Sequence, residues 1–428
     1  MGRWAWIGRR VIRQVWFRAA LISLFGVGLA LVAAFVGPFL PDDLHAQVGQ
    51  DAVGTILQIM ASSMLAVTTF SLTAMVSAYG SATQLATPRA TQLLIGDPTS
   101  QNALSTFLGA FVFSVVGIIG LQSSVYGDSG RVVLFSGTVL VVAVVVVTLL
   151  RWIGHITGFG RMGDVIDRVE EAAAEAMRAF AADPRLGGRP AVAVPAGATP
   201  VFAEETGYVT HIDVAALGAL AEEHGVRVHV AALPGTLVHP TRPLLHIAGE
   251  SGRSLDGRLA ETLAETLAKT LAKAFAIERH RRFDQDPRLG LIALSEIASR
   301  ALSPATNDPG TAIEVLNALL RVLLDLPPEE PEGEELAGRP PVHVPRPTLD
   351  DMLTDAFQPM IREGLGEIEV TIRLAKTLAA LRDARPYATA SVDRVALRLD
   401  QAARAAITDP ADLADYEAAC GRIAAPQR

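Results

Sequence analysis

Four apolar runs crowd the first third of the chain, at 19–37, 51–79, 103–122 and 132–151. Each approaches or exceeds the ~20 residues that an α-helix needs to cross a bilayer. A chain that opens this way folds around membrane helices, because hydrocarbon tolerates only backbone whose hydrogen bonds are closed within the segment. The runs are not alike. The last is almost pure Val and Leu around its whole circumference, which suits contact with lipid. The third carries Gly109, Ala110, Ser114, Gly117 and Gly120, small residues that let helices approach closely.

The second run carries more information. Thr55, Gln58, Ser62, Thr69, Thr73, Ser77 and Gln84 recur at steps close to 3.6, with Ala66 and Gly80 filling the gaps, so they form one narrow stripe on a helix. Val53, Ile56, Leu57, Met60, Met64, Val67 and Met75 occupy the opposite face, interrupted by Ser71. A hydroxyl-rich stripe serves either close packing between membrane helices or the wall of a water-filled path. Its extension past the bilayer boundary toward Thr87-Pro88-Arg89 predicts a helix that projects inward and connects the membrane part to the soluble domains. Apart from Asp51 and Arg151 at run ends, no Asp, Glu, Lys or Arg lies inside the four runs, which argues against a proton relay or a charge-coupled pump.

Residues 1–18 mix Trp4, Trp6, Trp16 and Phe17 with Arg3, Arg9, Arg10, Arg13 and Arg18, a composition suited to a membrane interface. A basic start before an apolar run also fits a signal peptide, but the run is long and no convincing small-x-small cleavage site succeeds it. Together with Arg89, Arg151 and Arg161, these arginines weight one side of the membrane, against Arg131 alone on the other. The bias places both termini in the cytoplasm.

Beyond the helices the chain becomes acidic, for a formal net charge of −8, and nothing suggests a nucleic-acid partner. The one cysteine, Cys420, excludes an intrachain disulfide. Gly158 to Gly163 spells G-x-G-x-x-G, but a membrane helix precedes it where a dinucleotide site needs a strand, so it reads as a membrane-proximal hinge. A membrane-proximal helix is expected over 154–188 and a β-rich subdomain over 189–250. Turns near Gly207 and Pro234-Gly235 loosely resemble those of lipoyl- and biotinyl-carrier barrels, which predicts a barrel-like fold without that chemistry, since the segment has no lysine. His211, His229, His239 and His246 lie in this segment and could meet at a metal, though scattered strand histidines more often satisfy local hydrogen bonds, and no metal or other cofactor is assigned.

A helical region is expected over 251–325, with a Leu-rich helix through Phe275. Two further helices come after it, capped by Asp286-Pro287 and Asp308-Pro309. Asp284, Asp286, Arg288, Asn307 and Asp308 make a candidate loop site or, equally, a salt-bridged structural corner. Residues 326–347 read as a Pro/Glu-rich linker, and 348–428 as a helical bundle.

Three stretches resemble a known family: Arg300 to Ala312 with its Ser303-Pro304-Ala305-Thr306-Asn307-Asp308-Pro309 core, the Phe283 to Arg288 turn, and Thr87-Pro88-Arg89 before Asp97. They are similar to bacterial predicted membrane proteins grouped as domain of unknown function 2254. The resemblance implies a multi-pass protein of the bacterial inner membrane with a cytoplasmic C-terminal part, and supplies no activity. No nucleophile elbow, Walker loop or zinc-hydrolase motif is present, so the chain does not read as an enzyme. The expected architecture is four transmembrane helices plus a cytoplasmic α+β region. The expected function is a homo-oligomeric channel or permeation protein, the alternative being a non-transporting membrane-anchored sensor or scaffold.

Overall fold

The computed structural model describes residues 15–36, 50–85, 87–95, 97–123, 126, 128–249, 266–327 and 338–424. These form two compact units.

The first unit is built on α1 (Val15–Val36), α2 (Gln50–Leu85), α4 (Pro98–Gln122) and α5 (Asp128–Ile156), with α3 (Pro88–Ile95) as the short connector between α2 and α4. Asp97 accepts the Ser100 N–H at 2.7 Å and Pro98 opens α4, so the Asp-Pro pair starts this helix directly. Small residues set the closest approach: a Cβ on Gly26 would lie 3.0 Å from the Gly109 carbonyl, which brings α1 and α4 nearly backbone to backbone. Leu57, Phe107, Phe113 and Leu134 form a core shared by α2, α4 and α5. Three helical stretches, Asp51–Thr83, Pro98–Gln122 and Ser129–Ile156, are long and apolar enough to cross a membrane. Of the four expected spans, the first forms α1, whose apolar stretch Phe17–Val32 is shorter than the other three.

The second unit takes Leu85–Ala90 and the chain from Val165 onward. It contains nearly all of α6 (Met162–Ala182), whose Val165, Val169, Ala173 and Met177 make a buried face at helical spacing. The expected barrel is corrected here, because the strands form two open sheets. One has the order β1-β8-β4-β6-β2 and the other β5-β3-β7. These are β1 (Arg189–Pro190), β2 (Thr199–Phe202), β3 (Gly207–Ile212), β4 (Val226–Val230), β5 (Leu237–Val238), β6 (Pro243–Gly249), β7 (Phe275–Glu278) and β8 (Val342–Val344). Helix α7 (Val214–Glu223) comes directly after β3, and its Leu217 and Ala221 pack with Val228, Ile247, Val342 and Val344. Two further expectations change. Phe275 begins a strand and does not end the Leu-rich helix, whose described part covers 266–272. The supposed linker contributes β8, an interior strand parallel to both β1 and β4, because Val342 and Val344 alternate inward around His343. The Glu-rich part of that linker, 328–337, lies outside the described residues.

Helices α8 (Pro287–Ala301) and α9 (Pro309–Leu323) carry their Asp-Pro caps as expected, Asp308 accepting the Thr311 N–H at 3.0 Å. A bundle of α10 (Leu349–Glu363), α11 (Ile368–Ala384), α12 (Thr389–Ala406) and α13 (Pro410–Ala424) completes the unit.

Candidate functional site

In α2 the apolar face turns inward and the stripe outward. Val53, Leu57, Met60, Met64 and Met75 are buried, whereas Thr55, Gln58, Ser62, Thr69, Thr73 and Ser77 are all exposed. The Gln84 side chain lies outside the described residues. The stripe is therefore neither a packing seam within one chain nor the wall of a path through one chain. Four of its hydroxyls are internally satisfied: Thr55, Ser62, Thr69 and Thr73 donate to the carbonyls of Asp51, Gln58, Leu65 and Thr69 at 2.7–3.0 Å. Gln58 differs, because its amide carries two donors and an acceptor. Among the described residues no group bonds that amide. Ser71 departs in the other direction, being fully buried with its hydroxyl unpartnered among the described residues.

At the other end of the unit the helices are tied by a buried acid. Asp97, 3% exposed, accepts from His155 Nε2 at 2.9 Å with the same oxygen that caps α4. The His155 ring lies between Trp152 and Phe159, at centroid distances of 5.9 and 5.2 Å, and Phe159 in turn meets Tyr79 of α2 at 5.7 Å. The expected hinge is thus a compact turn. Gly160 adopts φ +79°, and a Cβ there would lie 3.0 Å from the Ala78 carbonyl, so glycine is needed for both conformation and space. The count of charges inside the apolar runs passed over this pair, since Asp97 sits just before one run and His155 just after another. The Asp-Pro signal located Asp97; nothing local pointed to a partner 58 residues away.

The candidate loop residues divide between the two ends of α8, about 22 Å apart for a helix of fifteen residues. At its start Asp286 is buried and pairs with Arg281 at 2.7 Å, while Arg288 reaches Asp355 of α10 at 2.6 Å. Burial pushes the Asp286 carboxyl up, against the pull of Arg281 and the Arg288 N–H. Asp284 is exposed and meets Arg282 at 3.2 Å. Beyond the far end, Asn307 holds φ +47° and Asp308 caps α9, its carboxyl held below the usual range by the Thr311 hydroxyl and N–H. These contacts build a structural corner at the start of α8 and a helix cap at its end.

The four histidines do not converge. His211 is in the three-stranded sheet, and His239 lies in a loop with its Nδ1 2.9 Å from the Thr241 hydroxyl. His229 and His246 face one another across β4 and β6, and β8 adds His343. Among the described residues no three His, Cys, Asp or Glu are placed to hold a metal ion.

Long apolar helices joined to a separate α+β unit define a membrane protein. The chain matches the family model described as predicted membrane protein (DUF2254) over residues 12–380, and it belongs to that family. It is 25% identical over 381 residues to an uncharacterised protein of Mycobacterium bovis and equally to one of Mycobacterium tuberculosis, covering 84% of this chain and 71% of each relative. No solved structure matches.

Proposed function

We propose that the protein is a homo-oligomeric permeation protein of the bacterial inner membrane, with the α2 stripes of several copies surrounding a path. The observation that carries this reading is the outward stripe, and within it the Gln58 amide, which no group among the described residues bonds. An amide near the bilayer is best met by a second copy or by water, and symmetric assembly around α2 supplies both. The stripe carries no charge, which suits a path without a charged selectivity ring. The arginine bias favours a cytoplasmic C-terminal unit, which would serve as the regulatory part, and α1 would be the first of four spans.

The test uses a Cys420→Ala background with single cysteines at Ser62, Thr69 and Thr73, and a control at Met64, which is buried. A membrane-impermeant thiol reagent should label the stripe positions and spare Met64. Uniform protection of the stripe would overturn the path. A cysteine at Gln58 should in addition give a disulfide-linked dimer under mild oxidation, and its absence would remove the inter-copy interface.

A further inference from the structure

Strand register aligns five residues in one row across the five-stranded sheet. Arg189 on β1 pairs with His343 on β8, His343 with His229 on β4, His229 with His246 on β6, and His246 with Pro200 on β2. Directly paired residues point to the same face. The row occupies the face opposite Val228, Ile247, Val342 and Val344, all of which lie in the hydrophobic core.

The centre of the row is chemically incomplete. His229 is 3% exposed, and neither of its ring nitrogens has a hydrogen-bond partner among the described residues. The Nδ1 of His246 is likewise buried and unpartnered among them. The His343 ring stacks on that of His229, with centroids 4.9 Å apart and planes 14° apart. Its Nδ1 donates to the Pro190 carbonyl at 2.7 Å, which fixes its orientation. A buried polar ring with two orphan nitrogens destabilises a fold unless a missing group completes it.

The charge of a ligand that this row would accept is set by the neighbours. The charged and titratable groups acting on His229 are His343, Arg227 and His246, all basic, in a chain of net charge −8. Burial, reinforced by those neighbours, pushes the His229 imidazole down to about 4. A cation would add to the repulsion, and no three ligands are placed for a metal among the described residues. An anion would accept from the single N–H of the neutral His229 ring and meet the fixed positive charge of Arg227. The row from His343 to His246 spans about 10 Å, two interstrand steps, which is more than one carboxylate covers and within reach of linked phosphates.

We propose that the His343–His229–His246 row is a binding site for a phosphate-bearing ligand, held by imidazole N–H donors of His229 and His246 on two adjacent strands, with His343 orienting the His229 ring and Arg227 and Arg189 supplying charge. The site lies wholly in the C-terminal unit and does not depend on what the α2 stripe does.

The experiment is calorimetric titration of the full-length, detergent-solubilised protein with inorganic diphosphate, with acetate and Zn²⁺ as separate arms, paired with thermal unfolding of the ligand-free protein. The wild type should bind diphosphate saturably and acetate at least tenfold more weakly. His229→Phe should weaken diphosphate binding at least tenfold while leaving the ligand-free Tm equal or raised, since it removes an unpartnered polar ring. His246→Gln, at a partly exposed position, should weaken binding several-fold in a protein of unchanged Tm. Unaltered diphosphate affinity in both variants, no saturable binding by the wild type, or a preference for Zn²⁺ that disappears in His229→Phe would each overturn the proposal.

Discussion

Gly290 of α8 lies directly against Ala173 of α6, so close that a Cβ on the glycine would come within 2.7 Å of the alanine Cα. Two helices far apart in sequence come nearly backbone to backbone at this point. Gly290→Val should lower stability by about 1–3 kcal/mol through overpacking. Gly366→Ala, where nothing lies within 4 Å, should be neutral or slightly stabilising. Thermal unfolding of the two full-length variants in one detergent checks the contrast. Equal Tm values would mean that the contact yields easily.

Removing the Asp97 carboxylate takes away a helix cap and the acceptor of His155 together. Asp97→Ala should destabilise the helical unit by about 1–3 kcal/mol. Asp97→Asn keeps a capping oxygen and should lose less. The order wild type, Asn, Ala in resistance to thermal unfolding is the readout; an Asn variant as damaged as Ala would assign the effect to the charge of the carboxylate.

His229 makes stability depend on pH. Its imidazole is held at about 4 in the folded chain, against an ordinary value of 6.5. Between these two values the unfolded chain binds the extra proton, so stability rises with pH across that window. The full contribution is present above 6.5 and is lost as pH falls toward 4. His229→Phe should flatten this part of the profile, measured by denaturant unfolding at pH 4.5, 5.5 and 7. A slope that persists unchanged in the variant would assign the effect to other groups.

Gly160→Ala forces a side chain into a left-handed backbone conformation and toward the Ala78 carbonyl. The conformation alone costs about 1–2 kcal/mol. Gly163→Ala, with open space around it, is the matched control. Unfolding midpoints that do not separate the two would show that the turn rearranges freely.

Local chemistry was readable in the chain wherever it acts over a few residues. Asp97, Asp286 and Asp308, each preceding a proline, marked three helix starts because capping and the proline restriction both work within one turn. The stripe on α2 was equally visible, since helical period is a local property. Which way it faces was not, because that depends on which helices pack beside it. Strand β8 went unread for a related reason: three residues cannot establish an alternation, and its neighbours β1 and β4 lie more than 100 residues before it. Gly and Pro punctuated the strands of the C-terminal unit without revealing whether their edges close, hence the mistaken barrel. The histidine row exists only through register, so the sequence shows His229 as one of four scattered rings and gives no sign of its stacking partner His343.

Helix α2 runs unbroken for 36 residues, about 54 Å, against a hydrocarbon core of about 30 Å. The helix is therefore about 24 Å longer than such a core is thick. Pivoted at its N-terminal end, a tilt of about 10° would carry its C-terminal tip roughly 9 Å sideways, several times the shift that a packed contact tolerates. The residues next to the tip, Leu85–Ala90, already belong to the C-terminal unit, where Arg89 pairs with Glu296 of α8. A tilt of such a rod would therefore displace Arg89 at the start of α3, where the chain passes from one unit to the other.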